Sequence, residues 1–524
     1  MTFVDLTRGP DLVRAFEGVA RVPLDDETLS LQWFPHRAAG PDGAGRTVLR
    51  VMLSGSRPVS RVQLRWKADL SAVRRVLGDA WERSYGDLGW LPLAPERVMP
   101  WSVVTDGDTT ADGYGVAVRP GALCFWTVDD AGISLWADVR NGGTPIRLGE
   151  RTLHVCDVVA VAGTDGEGAF AVQRRLCHAM SPDPLLPDHA VYGTNDWHFA
   201  LGGADAEVIL RSSEFVSNAS PHPTNRPYSV IDDGWSMGGL GHGPWLANQR
   251  YRDMGRLAAR LGELGVRPGL WYRPLTPLPE HRDRWRLARG GGAMDPTVPE
   301  VAQGITEQLQ RFTGWGYQLV KHDFTTWDLL GRWGNHMGAD VTDDGWAFAD
   351  RSRTTAEIVT DLYALVRRAC GPAIVIGCNT FGHLAAGHVE LQRIGDDTSG
   401  RSWNRTRRMG VNTLAFRAAQ HDALFAVDAD IAPITPDLPW RQAREWLRLL
   451  AASGTPAFVS VDPASRTPEV AAALREAMTV AAHPQPLAEP LDWTTSTTPS
   501  QWRLGEQVVR CDWLEPTGAW PYGD

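Results

Sequence analysis

Two short segments carry residue types that could do chemistry together. One reads Tyr317-Gln-Leu-Val-Lys-His-Asp323, the other Val389-Glu-Leu-Gln-Arg-Ile-Gly-Asp-Asp397. Read as strands, their side chains alternate faces with period two. Lys321 and Asp323 then share a face with Leu319. Arg393, Gly395 and Asp397 share a face of the second segment, and Asp396 points the other way. With both faces turned inward, the two cations and the two carboxylates enter one pocket. A nearby cation favours the ionised form of a carboxylate, which suits a nucleophile. A second carboxylate, less compensated or more desolvated, stays protonated and serves as an acid. Two such groups flanking a glycosidic bond are the machinery of glycoside hydrolysis. The same residues could instead be structural salt bridges that close a barrel, and spacing alone leaves both readings open. No metal or cofactor is called for. His198, His322, His383 and His388 show no His-Glu-x-x-His spacing, and alternation turns His322 away from Asp323.

The elements that must position these residues begin after a Pro-rich linker, Ser181-Pro-Asp-Pro-Leu-Leu-Pro-Asp188. Short apolar runs follow, at Ala190–Trp197, Tyr228–Trp235, Arg267–Arg273, Tyr317–Phe324, Ala373–Asn379, Val389–Asp397, Ala423–Asp430 and Ala457–Asp462. Amphipathic stretches alternate with them: Arg250–Gly265, Val298–Thr313, Thr354–Cys370, Arg405–His421 and Arg441–Ala452. Eight strand–helix repeats predict a (β/α)8 barrel. A doubly wound sheet would want a G-x-G-x-x-G turn, which no strand is followed by. Nearly every predicted strand is apolar in the middle and polar at its C-terminal end, the end that forms the active face of a barrel. Before the linker, runs such as Thr47–Leu53, Arg61–Trp66, Ala122–Val128 and Leu153–Val161 predict an antiparallel β-sandwich. The predicted fold is multidomain α/β: a sandwich over 1–182, a barrel over 188–483 and a short β segment over 484–524.

Composition narrows the function classes. The net charge is −10, which argues against a nucleic-acid partner. No run of about 18 apolar residues offers a membrane span. The N-terminus shows no secretory h-region, and six scattered Cys without a C-x-x-C pair fit reduced thiols, so a cytoplasmic location is expected. Two of the 52 basic residues are Lys, at 67 and 321, and the rest are Arg. Codon bias accounts for the general preference, and it leaves open why Lys321 escapes it. Among 23 Trp, those at 197, 235, 271, 327 and 403 fall near predicted strand ends, where sugar faces could stack.

The chain resembles the α-galactosidases of glycoside hydrolase clan D, family 36 more than family 27. The resemblance rests on Ile231-Asp-Asp-Gly-Trp235, Gly269-Leu-Trp-Tyr-Arg-Pro274, Lys321-His-Asp-Phe324, Gly377-Cys378, Arg393-Ile-Gly-Asp-Asp-Thr398 and Asp428-Ala-Asp430, in family order. It implies a retaining exo-α-glycosidase acting on an oligosaccharide or glycoside. By motif position Asp323 matches the nucleophile and Asp397 the acid/base. Asp232 and Asp233 match the pair that binds the O4 and O6 hydroxyls, and Trp271 the aromatic wall. Lys321 and Arg393 match the cations that bind hydroxyls and the nucleophile, and Cys378 a pocket Cys. Trp197 and Trp403 join them as expected sugar contacts. Arg273 departs from the usual small residue; it could brace Asp232 or Asp233, or recognise an anionic or otherwise modified substrate, and the brace is the expectation. The departures leave other readings open: a related glycosidase for α-N-acetylgalactosamine or β-L-arabinopyranose, a galactosyl transglycosylase, or a carbohydrate-binding protein without catalysis. By resemblance, assembly into a homo-oligomer is expected.

Overall fold

In the computed structural model, residues 3–24, 27–38, 46–107, 110–278, 281–515 and 518–519 are described. Two six-stranded antiparallel sheets form the N-terminal sandwich. Their longest strands, Leu29–Ala38, Arg46–Gly55 and Gly149–Val161, lie side by side in one sheet. Leu49, Val51 and Leu53 alternate with less buried residues, the pattern of a strand with one face in the core. Helix Ala169–Met180 covers one sheet and leads into the linker.

The barrel follows. Its strands are Tyr192–Asn195, Tyr228–Ile231, Arg267–Tyr272, Leu319–His322, Ile374–Gly377, Leu391–Arg393, the pair Ala426–Asp428 and Ile431–Ile434, and Ala457–Val461. All pair in parallel. The seventh strand is split. Its first half pairs with strand six and its second half with strand eight, so the chain itself closes the barrel. Asp430, at φ +66°, makes the turn between the halves. Inside, Val191, Tyr228, Val230, Leu319, Ile374, Ile376, Leu391, Ala426, Ile431 and Phe458 fill the lower layers. Period two then places Asp232, Lys321, Cys378, Arg393 and Asp428 one step above them. The expected apolar middle and polar upper end are therefore one consequence of a filled barrel.

Two helical stretches differ from the sequence expectation. The helix expected over Arg250–Gly265 starts at Met254, because Asp253 caps it by accepting from Arg256 N–H. The stretch Arg405–His421 is broken into a short helix, a π-helical segment over Arg407–Asn412, a second short helix and a 3₁₀ turn. Gly410, in the wide segment, leaves room for the Trp446 ring. After the last helix, Glu489–Pro490, Gln501–Leu504 and Gln507–Arg510 form a three-stranded sheet. Residues 516–517 and 520–524 of the expected C-terminal segment lie outside the described residues. No helix of the described residues is long and apolar enough to cross a membrane.

The sandwich is fastened to the side of the barrel that carries strands four to six. Arg119 donates to the Ala386 carbonyl, and Thr354 donates to the Gly121 carbonyl. His383 stacks on Trp101 at 4.8 Å. Trp81 is the centre of this joint: 2% exposed, edge-on to Trp101 at 5.1 Å and near Phe381, with its indole N–H on the Gly338 carbonyl. Truncation there leaves a cavity between the domains. Trp81→Ala is expected to lower unfolding free energy by about 3–5 kcal/mol, measured by denaturant titration; a loss below about 1 kcal/mol would show that the joint closes over the gap.

Candidate active site

Strand four ends in Lys321, His322 and Asp323. His322 turns outward, fully buried, with its ring 5.9 Å from that of Tyr363. Lys321 points in and donates to Asp232 Oδ2 at 2.7 Å. Asn195 Nδ2, from strand one, donates to the same oxygen at 2.6 Å. Asp323 is held by two donors: Trp271 Nε1 reaches Oδ2 at 3.2 Å and the Phe324 N–H reaches Oδ1 at 2.7 Å. Phe324 itself adopts φ +65°, a left-handed conformation that a bulky aromatic residue adopts only under constraint. The strained residue directly follows the carboxylate that its N–H holds.

Strand six delivers Arg393 and Asp397. Arg393 is 2% exposed and shared among three carboxylates: Asp397 Oδ1 at 3.0 Å, Asp428 Oδ2 at 3.4 Å and Asp430 Oδ1 at 2.5 Å. Asp430 also accepts from the Thr398 backbone and hydroxyl, at 2.6 and 2.7 Å. Asp396 points away from Arg393, onto Arg405 at 2.6 Å and Arg83 at 2.9 Å. Strand two supplies Asp233, whose carboxylate accepts from Gly234 N–H at 2.7 Å and Gly241 N–H at 2.6 Å.

The charges divide the carboxyl groups into two sets. Burial, with the Asp232 charge added, pushes Asp196 and Asp233 up to about 7. Asp428 is also raised by burial, against the pull of Arg393. Burial works upward on Asp397 too, but the Arg393 and Arg83 charges outweigh it and hold this carboxyl below its usual range. Asp430 is lowered in the same way, with Arg393 and His198 overcoming its burial. Burial would lower the Lys321 ammonium, but the Asp232 charge keeps it firmly protonated. The Cys378 thiol is pushed up by burial, with the Asp323 charge added, which keeps it neutral.

No protein-family model and no curated protein matches the chain. Solved structures do. An α-galactosidase from Thermus thermophilus, solved with p-nitrophenyl α-D-galactopyranoside, aligns with a TM-score of 0.62 at 18% identity, over 95% of this chain and 98% of that one. A GH36 α-galactosidase from Geobacillus stearothermophilus, solved with 1-deoxygalactonojirimycin, aligns with a TM-score of 0.60 at 13% identity, over 86% of this chain and 67% of that one. The fold is that of the GH36 α-galactosidases.

Within this GH36-like fold, the barrel mouth gathers Asp232, Asp233, Trp271, Arg273, Lys321, Asp323, Cys378, Arg393 and Asp397. Trp197 stands half-buried at the end of strand one. Trp403 is a correction. It is 2% exposed, packs on Trp513 and donates its indole N–H to the Trp513 carbonyl, so it belongs to the joint with the C-terminal sheet. Trp235 is likewise core, between Trp245, Phe312 and Trp315. Arg273 corrects the expected brace on Asp232 or Asp233. Its guanidinium forks onto Asp328 at 2.6 and 2.9 Å and lies 4.4 Å from the Phe324 ring centroid. It reaches Asp233 only through Gly241, whose carbonyl it meets at 3.3 Å. Three residues were missed: Asp328 on the helix Thr325–Leu330, Asp196 beside Asp232, and Arg83 from the sandwich. Asp196 sits in the Asn-Asp-Trp strand end and was legible there. Arg83 carries no motif.

Asp196 accepts from the Asp232 N–H through Oδ1, while its buried Oδ2 has no partner among the described residues. The folded state therefore binds the Asp196 proton more tightly than the unfolded chain, where the group titrates near 3.8. Its contribution to stability is complete below about pH 4 and is lost as pH rises through about 7. Asp196→Asn should flatten the decline in stability between these limits by up to about 1.4 kcal/mol per pH unit. Denaturant midpoints from pH 4 to 8 check this, and parallel curves for the two proteins would contradict it.

Proposed function

We propose that the protein is a retaining exo-α-glycosidase, in its simplest form an α-galactosidase, with Asp323 as nucleophile and Asp397 as acid/base. The observation that carries the reading is the convergence of Asp323 and Asp397 from strands four and six on one barrel mouth, each oriented by its own donors. The GH36 fold supports it, as do the sugars bound by structural neighbours, which include stachyose and raffinose.

In the first step an Asp323 oxygen attacks the anomeric carbon as the glycosidic C–O bond breaks. Asp397 gives its proton to the departing oxygen. The Trp271 and Phe324 N–H groups fix the Asp323 carboxylate without taking all of its lone pairs. In the second step Asp397, now ionised, takes a proton from water, and the water oxygen displaces Asp323 from the anomeric carbon. Asp232 and Asp233 accept from sugar hydroxyls, with Lys321 holding Asp232 in place. Arg273 is neutralised by Asp328, which favours a neutral sugar over an anionic one.

A screen of nitrophenyl α- and β-glycosides tests the substrate class, with release from the α-galactoside and retained anomeric configuration as the expected result. Asp323→Ala should lower kcat by at least about 10³-fold; wild-type turnover in that variant, or an inverted first product, would sink the assignment. Asp397 adds a pH dependence. Its carboxyl is held low, so its protonated, acid-competent fraction grows as pH falls. Activity on oligosaccharides, whose leaving group needs that proton, should decline with rising pH earlier than activity on nitrophenyl substrates. Coincident basic limbs would contradict the role of Asp397 as acid.

A further inference from the structure

The segment Trp81–Tyr85 belongs to the N-terminal sandwich by sequence and to the barrel mouth by position. Its backbone extends the sixth strand: Ser84 N–H donates to the Ile394 carbonyl and Asp396 N–H to the Ser84 carbonyl, both at 2.8 Å. Gly395 sits opposite Ser84, where an added Cβ would meet the Met409 carbonyl oxygen at 2.6 Å. Arg417 ties the same crossing by donating to the Glu82 and Ile394 carbonyls at 2.8 Å. Glu82 is buried and accepts from Tyr85, Thr326, Asn379 and the Gly334 N–H, so it pins the segment to the connections that follow strands four and five.

Arg83 is thereby carried to the proposed acid/base. Its side chain is 9% exposed, with Nη2 at 2.9 Å from Asp396 Oδ1 and Nη1 at 3.7 Å from Asp397 Oδ1. The guanidinium lies 5.4 Å from the Trp333 ring centroid and 5.8 Å from that of Tyr85. The charged surroundings of Asp397 come from every element around it. Arg393 and Asp396 lie on its own strand and loop, Asp428 and Asp430 on strand seven, Lys321 on strand four, and Arg83 on the sandwich segment, with Glu82 and Tyr85 beside Arg83. Arg405 serves Asp396 and the Asp397 backbone carbonyl, not the Asp397 carboxylate. Arg393 is already divided among three carboxylates. Arg83 alone among these cations bridges the side chains of the adjacent pair Asp396 and Asp397.

We propose that Arg83 is a positioning residue through which the sandwich domain fixes the orientation and charge of Asp397. The proposal rests on the reading of Asp397 as acid/base. It makes the N-terminal domain a working part of the site, because the barrel alone leaves Asp397 with one shared cation.

The test compares wild type with Arg83→Gln, Arg83→Lys and Asp397→Ala in the full chain, on a nitrophenyl α-galactoside and an α-galactosyl oligosaccharide, across pH. Arg83→Gln removes charge and fork together. It should lower kcat on the oligosaccharide by about 10- to 100-fold, with a smaller loss on the nitrophenyl substrate. Removing a cation raises the proton affinity of Asp397, so the basic limb of kcat/KM should move up by roughly one pH unit. Arg83→Lys keeps the charge and loses the fork, so its limb should stay near wild type while kcat falls several-fold. Wild-type kcat and an unmoved limb in Arg83→Gln, with Asp397→Ala inactive, would overturn the proposal. If Arg83→Gln does not fold, Arg83→Lys decides: reduced kcat at a wild-type melting temperature supports the proposal, and wild-type kcat refutes it. Undiminished turnover by Asp397→Ala, or no turnover by wild type on any glycoside, is a different result; it removes the acid/base assignment itself, and this proposal with it.

Discussion

Charge neutrality in a closed space governs this barrel mouth. Carboxylates from five strand ends and a short helix crowd above apolar layers, and an unpaired buried charge costs several kcal/mol. Each cation is therefore shared or committed. Lys321 holds Asp232, Arg273 holds Asp328, and Arg393 spans Asp397, Asp428 and Asp430. The split seventh strand follows from the same need. Asp430 takes a left-handed turn, which brings its carboxylate to Arg393 and Thr398 while the chain passes from one neighbour strand to the next. Barrel closure and charge compensation meet at one residue.

That compensation is uneven, and the unevenness separates roles. Asp196 and Asp233 have no cation within ion-pair distance among the described residues, and burial, with the Asp232 charge added, pushes both up to about 7. Asp397 has two guanidinium groups and stays low. A carboxyl that gives up its proton near neutrality suits reversible hydrogen bonding to sugar hydroxyls as acceptor or donor. A carboxyl held low suits the base half of a double displacement and makes the acid half the step that pH limits. Sequence alone left open which carboxylate is the less compensated, and Arg83, the second cation beside Asp397, carries no motif.

What the sequence made legible follows period-two alternation. Facing in strands four and six needs only the run of apolar residues beneath Lys321 and Arg393, so Asp323, Asp397 and the outward His322 could be placed from local pattern. Aromatic roles were not legible in that way. Trp271 and Trp403 are both almost fully buried next to polar motifs, yet one donates to Asp323 and the other to the Trp513 carbonyl. Only the neighbour tells them apart, and for Trp403 the neighbour lies in the C-terminal segment. Arg273 was seen as inward, but its partner Asp328 sits on a helical turn whose facing has no strand period. Arg83 was beyond reach altogether, since it reaches Asp397 by way of a domain joint.

The scarcity of lysine acquires a physical reading at this site. Asp232 Oδ2 already accepts from Asn195 at 2.6 Å when Lys321 reaches it at 2.7 Å. Lys321 is 4% exposed, and its charge is felt by Asp323, Cys378 and Arg393. A guanidinium there would be wider, planar and rich in donors that need acceptors. With Asp232 already shared, those donors could turn only to Asp323 and lock up the lone pairs that the proposed chemistry needs free, or remain buried without partners. An ammonium satisfies one carboxylate at one point and leaves the rest of the mouth open to a sugar. Lys321→Arg keeps the formal charge, so a severe loss of activity in that variant would come from shape and donor count alone, and near-normal kinetics would return Lys321 to codon accident, as for the exposed Lys67.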